Sequence, residues 1–152
     1  MILDKTDKKL INLLQKDASL TNKQLAAELN LTVTPVYERI KKLKRQGVIT
    51  GVHAKIDRSK IGKPVMVLCE VSVTDHKKEN LDRFEKKILD LKEVIECYHV
   101  SGGHDYMLKI VEKNMDAYRD FLLNKLAKID GVSNVSSIFV MKDLKEDNYI
   151  KL

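Results

Sequence analysis

Cysteine is scarce in this chain of 152 residues: there are two, Cys69 and Cys97. Each lies alone inside a run of strand-forming residues, and their spacing matches no metal motif. Both read as small buried apolar groups. Long apolar runs are missing as well. No segment approaches the ~20 residues that span a bilayer, so no membrane contact is expected. The opening "MILDKTDKKL" mixes acids with its lysines and has no apolar core after them. That excludes a signal peptide and leaves the cytoplasm as the default compartment. A nucleophile elbow is absent, and no Ser/His/Asp order has supporting context. His53 and His99 have no ligand spacing to His104, and His104 and Asp105, adjacent on a strand, point to opposite faces. The chain is therefore not read as an enzyme, and no catalytic residue, metal or cofactor is expected.

What is present is charge, unevenly placed. A third of the chain is charged and 43% is hydrophobic, the composition of a folded globular protein. Residues 1–55 carry 11 Lys+Arg against 5 Asp+Glu, and residues 56–152 carry 17 of each. The whole net charge of +6 thus belongs to the first third. A basic module joined to a neutral one points to a polyanion partner for the first part only.

The basic module reads as three helices. Asp4 followed by Asp7 suits an N-cap with an acid at N3, and Leu10, Ile11 and Leu14 then form an apolar stripe. Thr21 with Gln24 makes a capping box opening a second helix, whose inner face is Leu25, Ala26 and Leu29. After "NLTVTP" a third helix carries Val36, Ile40 and Leu43 inward and stops at Gly47. Pro35 fits only in its first turn, so the N-cap is Thr32 or Thr34. Two short helices, a brief turn and a basic third helix form a helix-turn-helix pattern. The outward residues Thr32, Thr34, Pro35, Tyr37 and Glu38 are the candidates for base edges, and Lys41, Lys42 and Arg45 for phosphates. Arg39 lies beside the apolar stripe and is either a further DNA contact or an internal ion-pair partner. Residues 1–50 form this DNA-binding domain. Residues 51–62, within the alternating run "VITGVHAKID" and its continuation, read as a linker strand able to pair with another chain.

From residue 63 to 152 the period changes to two. Strand, helix, strand, strand, helix and strand follow in order, with a faint internal repeat: Phe84, Ile88, Leu91 and Val94 share their spacing with Leu122, Leu126, Ile129 and Val132. This predicts an α+β protein overall, a three-helix helix-turn-helix domain followed by a ferredoxin-like βαββαβ domain, with both helices on one side of an antiparallel sheet. The other side should be polar at alternate positions. Instead Tyr106, Leu108 and Ile110 alternate with Met107, Lys109 and Val111, and Val135, Phe139 and Met141 alternate with Ile138 and Val140. An apolar outer face predicts that two sheets pack together in a homodimer.

"VSGGHDYML" joins the second and third strands. Gly102 and Gly103 make a hairpin turn. Backbone N–H groups exposed by such a loop suit a carboxylate and Asp105 suits an ammonium, so an amino acid is the simplest ligand.

These blocks, with "LDKTDKKLINLLQKDA", "TNKQLAAELNLT", "ERIKKLKRQGVITG", "EVIECYHVSGGHDYMLKI" and "GVSNVSSIFVMK", make the chain resemble the Lrp/AsnC transcription regulators along almost its whole length. The resemblance implies a DNA-binding domain, a C-terminal domain of the RAM/ACT-like kind, an amino-acid effector held between subunits, and dimers assembling into larger rings, often octamers. It implies an effector site at Ser101, Gly102, Gly103, His104, Asp105 and Tyr106 together with Asn134, Val135, Ser136 and Ser137. Gly103 stands where the family often has an acid, His104 where an aromatic is common, and Ser137 where threonine is common. The alternative function is an architectural DNA-binding protein without a small-molecule effector.

Overall fold

The computed structural model describes residues 2–146 and 149–152; Met1, Asp147 and Asn148 lie outside the described residues. The chain divides into two compact units, Met1–Lys55 with Leu144–Leu152, and Ile56–Asp143.

The first unit holds α1 (Lys5–Lys16), α2 (Asn22–Leu29) and α3 (Val33–Arg45). Asp4 caps α1 by accepting from the Asp7 backbone N–H at 2.7 Å. The reciprocal Thr21–Gln24 box opens α2. Asn30 ends α2 in the left-handed region at φ 54°, which asparagine tolerates better than a branched residue. The Leu31 N–H then closes onto the Ala26 carbonyl at 2.9 Å. Of the two threonines that could open α3, Thr32 is the N-cap, and its side chain makes no capping bond. Leu10, Ile11, Leu25, Ala26, Val36 and Leu43 form the core, with Ile40 packed against it. Gly47 follows α3 at φ 71°, the conformation a helix stop requires.

Residues 51–62 pair with no strand of their own chain among the described residues, and a partner strand from another chain is the pairing expected of them. The tail Leu144–Leu152 belongs with the helices rather than with the C-terminal domain. The reason is a pair of reciprocal amide clasps. Gln15 exchanges two hydrogen bonds with the backbone of Ile150 at 2.8 and 2.9 Å. Asn12 does the same with Leu152 at 3.2 and 3.1 Å.

The second unit is β1 (Val65–Val73), α4 (Lys78–Leu89), β2 (Val94–His99), β3 (Tyr106–Glu112), α5 (Met115–Asn124), a short 3-10 turn (Leu126–Lys128) and β4 (Val132–Phe139). The sheet is antiparallel in the order β2-β3-β1-β4, the ferredoxin-like arrangement. Val67, Cys69 and Val71 of β1 and Tyr106, Leu108 and Ile110 of β3 point to the helix side. There they meet Phe84 and Ile88 of α4 and Tyr118 and Phe121 of α5. α5 is shorter than the 115–129 periodicity suggests, yet Leu126 and Ile129 still reach the core from the turn beyond it. Cys69 is fully buried and Cys97 partly so. No helix among the described residues is long and apolar enough to cross a membrane.

Candidate functional site

Two surfaces carry the predicted functional residues, one in each unit. On α3, Thr34, Tyr37, Glu38, Lys41, Lys42, Lys44 and Arg45 are all exposed, Thr32 is exposed just before it, and Pro35 is half-buried. Leu31, Val33 and Tyr37 add exposed apolar surface at the start of the helix. Four cations thus line the C-terminal half of the helix while the N-terminal half presents hydroxyl and apolar groups. Lys44 joins this surface without having been a sequence candidate, although its charge stands in the run "KKLKR".

Arg39 is not part of that surface. Its Nη1 lies 2.6 Å from both Asp4 Oδ2 and Asp7 Oδ1. The Asp7 N–H and the Arg39 guanidinium hold the Asp4 carboxyl below its ordinary range. Asp7 is buried, so Arg39 supplies the charge that makes its burial tolerable. Arg39 therefore ties α3 to the start of α1, the internal ion pair that was one of its two readings.

In the second unit the ten predicted ligand residues do not converge on one side. Pairing with β1 sets the sides: Ser137 lies opposite Cys69 and Val135 opposite Val71, both on the helix side. Ser137 Oγ is 2.5 Å from the Tyr118 hydroxyl. Tyr106 is fully buried, stacked on His99 with ring centroids 4.7 Å apart, and its hydroxyl donates to Glu85 at 2.9 Å. Burial and Glu85 raise its phenol well above the ordinary value. As side chains, Tyr106 lies in the core, and Val135 and Ser137 are partly buried on its side of the sheet. The alternation of a strand forces this: neighbours along it cannot share a face.

His104, Ser136 and Asn134 remain on the open side. Ser136 pairs with Glu70 and Asn134 with Ser72. His104 Nε2 is 2.9 Å from Glu70 Oε2. Along the same face run Leu68, Met107, Ile138 and Val140, with Lys109 and Glu96 paired at 3.1 Å. Ser101, Gly102 and Gly103 form an exposed loop at its edge.

Asp105 is the hinge of that loop. Its N–H donates to Val71 O at 3.0 Å, and its carbonyl accepts from Val100 N–H at 2.9 Å. Its Oδ2 accepts from Val73 N–H at 2.8 Å, and Oδ1 lies 2.7 Å from His76 Nε2. The Val73 N–H first, and His76 next, keep this carboxyl below its ordinary range. The carboxylate is thus already engaged, although about four acceptor positions exist and two are used. His76, 29 residues from Asp105, and Glu70, 34 residues from its partner His104, carry no local signal of these roles. Only the β1–β3 register brings them to the loop. Among the described residues no group of three or more His, Cys, Asp or Glu could hold a metal ion.

A basic helix-turn-helix unit beside a ferredoxin-like unit with a loop-edged open face defines a class: transcription regulators with separate DNA-binding and ligand-binding domains. Similarity to known proteins agrees domain by domain. Residues 3–50 match the winged helix-turn-helix DNA-binding family and residues 66–150 the Lrp/AsnC ligand binding domain. The chain belongs to the Lrp/AsnC family of transcriptional regulators. It is 34% identical over 150 residues to the leucine-responsive regulatory protein of Haemophilus influenzae, covering 99% of this chain and 90% of that one. An AsnC family transcriptional regulator from Agrobacterium tumefaciens superposes with a TM-score of 0.91 at 34% identity, covering 97% and 96% of the two chains. A transcriptional regulator of Neisseria meningitidis, solved as its L-Met complex, gives 0.92 at 28% identity, covering 98% and 96%.

Proposed function

We propose that this regulator works in the cytoplasm as a homodimer, assembling further toward an octamer, whose DNA affinity is tuned by an amino acid bound between subunits. The supporting observation is the open sheet face, where Leu68, Met107, Ile138 and Val140 form apolar surface on the side away from both helices. A second copy covering it buries that surface and supplies the two-fold symmetry that paired operator half-sites require. Two α3 helices then lie about 34–36 Å apart, one turn of duplex. Lys41, Lys42, Lys44 and Arg45 meet phosphates, Thr34, Tyr37 and Glu38 face base edges, and Leu31 and Val33 suit thymine methyl groups. The ligand enters at the seam beside Ser101, Gly102, Gly103 and His104, with Ser136 and Asn134 on the adjoining strand and the spare acceptor positions of Asp105 within the loop. The Neisseria relative solved with L-Met supports an amino acid as the ligand class. The relatives' names, all transcriptional regulators, support a binding protein rather than an enzyme.

The engaged carboxylate of Asp105 favours one competing reading, an architectural DNA-binding protein with no small-molecule input. Footprinting with and without each of the twenty amino acids separates the two. A discrete footprint whose midpoint shifts with one amino acid supports modulation. Sequence-tolerant coverage, steeply salt-dependent and indifferent to every amino acid, supports the architectural role.

A further inference from the structure

The chain passes between its two units twice, at residues 55–56 and again at 143–144. The two crossings are matched. In the first unit Lys55 Nζ donates to the Glu146 carbonyl at 2.8 Å and lies 3.7 Å from its carboxylate. In the second unit Arg58 Nη2 meets Asp143 Oδ2 at 2.5 Å. Residue 55 thus faces 146 and residue 58 faces 143, so the segments run antiparallel with one ion-pair rung in each unit. Lys55 is exposed and Arg58 half-buried, and surface pairs of this kind hold weakly on their own.

Beyond Glu146 the tail is held by its backbone. α1 presents Asn12 and Gln15 three positions apart, on one face of the helix. A primary amide carries a donor and an acceptor side by side, as a peptide group does. Gln15 gives one bond to Ile150 and takes one, and Asn12 does so with Leu152. Tail residues two apart turn their N–H and C=O groups to the same side when the chain is extended. The two amides therefore imitate two rungs of a strand edge, and they read extended backbone whatever its side chains are. All four bonds lie at the surface, and the Ile150 side chain stays exposed. Undocking the tail consequently gives up little packing and needs no unfolding of the helices.

We infer that Asn12 and Gln15 form a docking site on α1 for the chain's own tail, and that the docked tail is a releasable strap giving the helix-turn-helix unit a second tether. The consequence for DNA rests on the proposed function, in which a dimer engages paired half-sites. A unit tethered twice reaches fewer positions than one hung on residues 51–62 alone. A stiffer tether raises effective concentration at the half-site it fits and lowers it elsewhere. The docked strap therefore sharpens the choice of half-site spacing, and its release relaxes that choice.

Two variants release the strap: Asn12→Ala combined with Gln15→Ala in the full chain, and a chain ending at Asp143. Amide hydrogen exchange followed by NMR reads the docking directly. The Ile150 and Leu152 N–H groups should exchange at least about threefold more slowly in the unaltered chain than in the double variant. Equal rates overturn the docking site. DNA binding reads the strap. The probe is a duplex isolated by the unaltered chain from a random-sequence pool, with a second version lengthened by half a turn, about five base pairs, between its half-sites. The unaltered chain should prefer the original spacing, and both variants should lose roughly tenfold of that preference. A preference kept in full by both variants overturns the strap. A circular-dichroism melt shows whether the shortened chain folds; if it does not, the double variant carries the test, since alanine suits a helix. Sedimentation separates this inference from the reading beneath it. A lone chain overturns the paired half-sites and the strap's role with them, while the exchange rates still decide the docking site.

Discussion

Gly102 and Gly103 are adjacent and unequal. Gly102 sits at φ 144°, a conformation L side chains rarely adopt, while Gly103 needs no positive φ. An added Cβ meets nothing within 4 Å at either. The backbone alone therefore distinguishes them. Gly102→Ala should destabilise the second unit by about 1 kcal/mol or more, and Gly103→Ala by less than about 0.5. Urea melts of the two variants check this; equal effects would mean that the loop is free to change its conformation. In the sequence the two glycines read as one hairpin feature, because composition does not report φ. Asp105 is legible there as a loop residue with a job. Its partners Val73 and His76 are not, since they lie about thirty positions away and meet it only through strand register.

At the scale of elements, α3 combines two roles that one pair of substitutions separates. Arg39→Ala strips Asp7 of its cation and leaves a buried carboxylate unpaired, which should cost the helical unit about 2 kcal/mol. Lys42→Ala should leave the melt unchanged, weaken binding on every DNA sequence alike, and reduce the salt slope by about one. A large stability loss for Lys42→Ala, or none for Arg39→Ala, would contradict this division. The helices themselves are readable in the sequence, since capping chemistry and apolar period are local; the Arg39 ion pairs span 32 and 35 residues and are not. In the second unit, burial pushes the Tyr118 phenol up to about 12, against the bond from Ser137, which lowers it. Tyr106 is raised as well. A raised folded value means that the contribution to stability is complete below the unfolded value near 10 and is lost as pH climbs toward about 12. Thermal melts between pH 9 and 12 should show this loss, and Tyr118→Phe should flatten part of it. A melting temperature level across that window would contradict the assignment.

The whole molecule is a basic unit joined to a neutral one, and the charge count along the chain is enough to reveal that division. The ferredoxin-like topology is equally legible, because alternation and helical period succeed each other cleanly from residue 65 onward. The return of Leu144–Leu152 to the helices is not, because its clasps are made by the backbone of the tail and two unremarkable amides, Asn12 and Gln15. Nor can sequence divide the loop and strand residues between the two sides of the sheet, a division that puts Tyr106 in the core and Ser137 against the Tyr118 hydroxyl. In the proposed function, a second copy on the uncovered apolar sheet face is what couples the two units. Sedimentation equilibrium of the full chain at micromolar concentration tests that most directly. The predicted result is a species of at least twice the mass of the 152-residue chain; a stable single chain would contradict it.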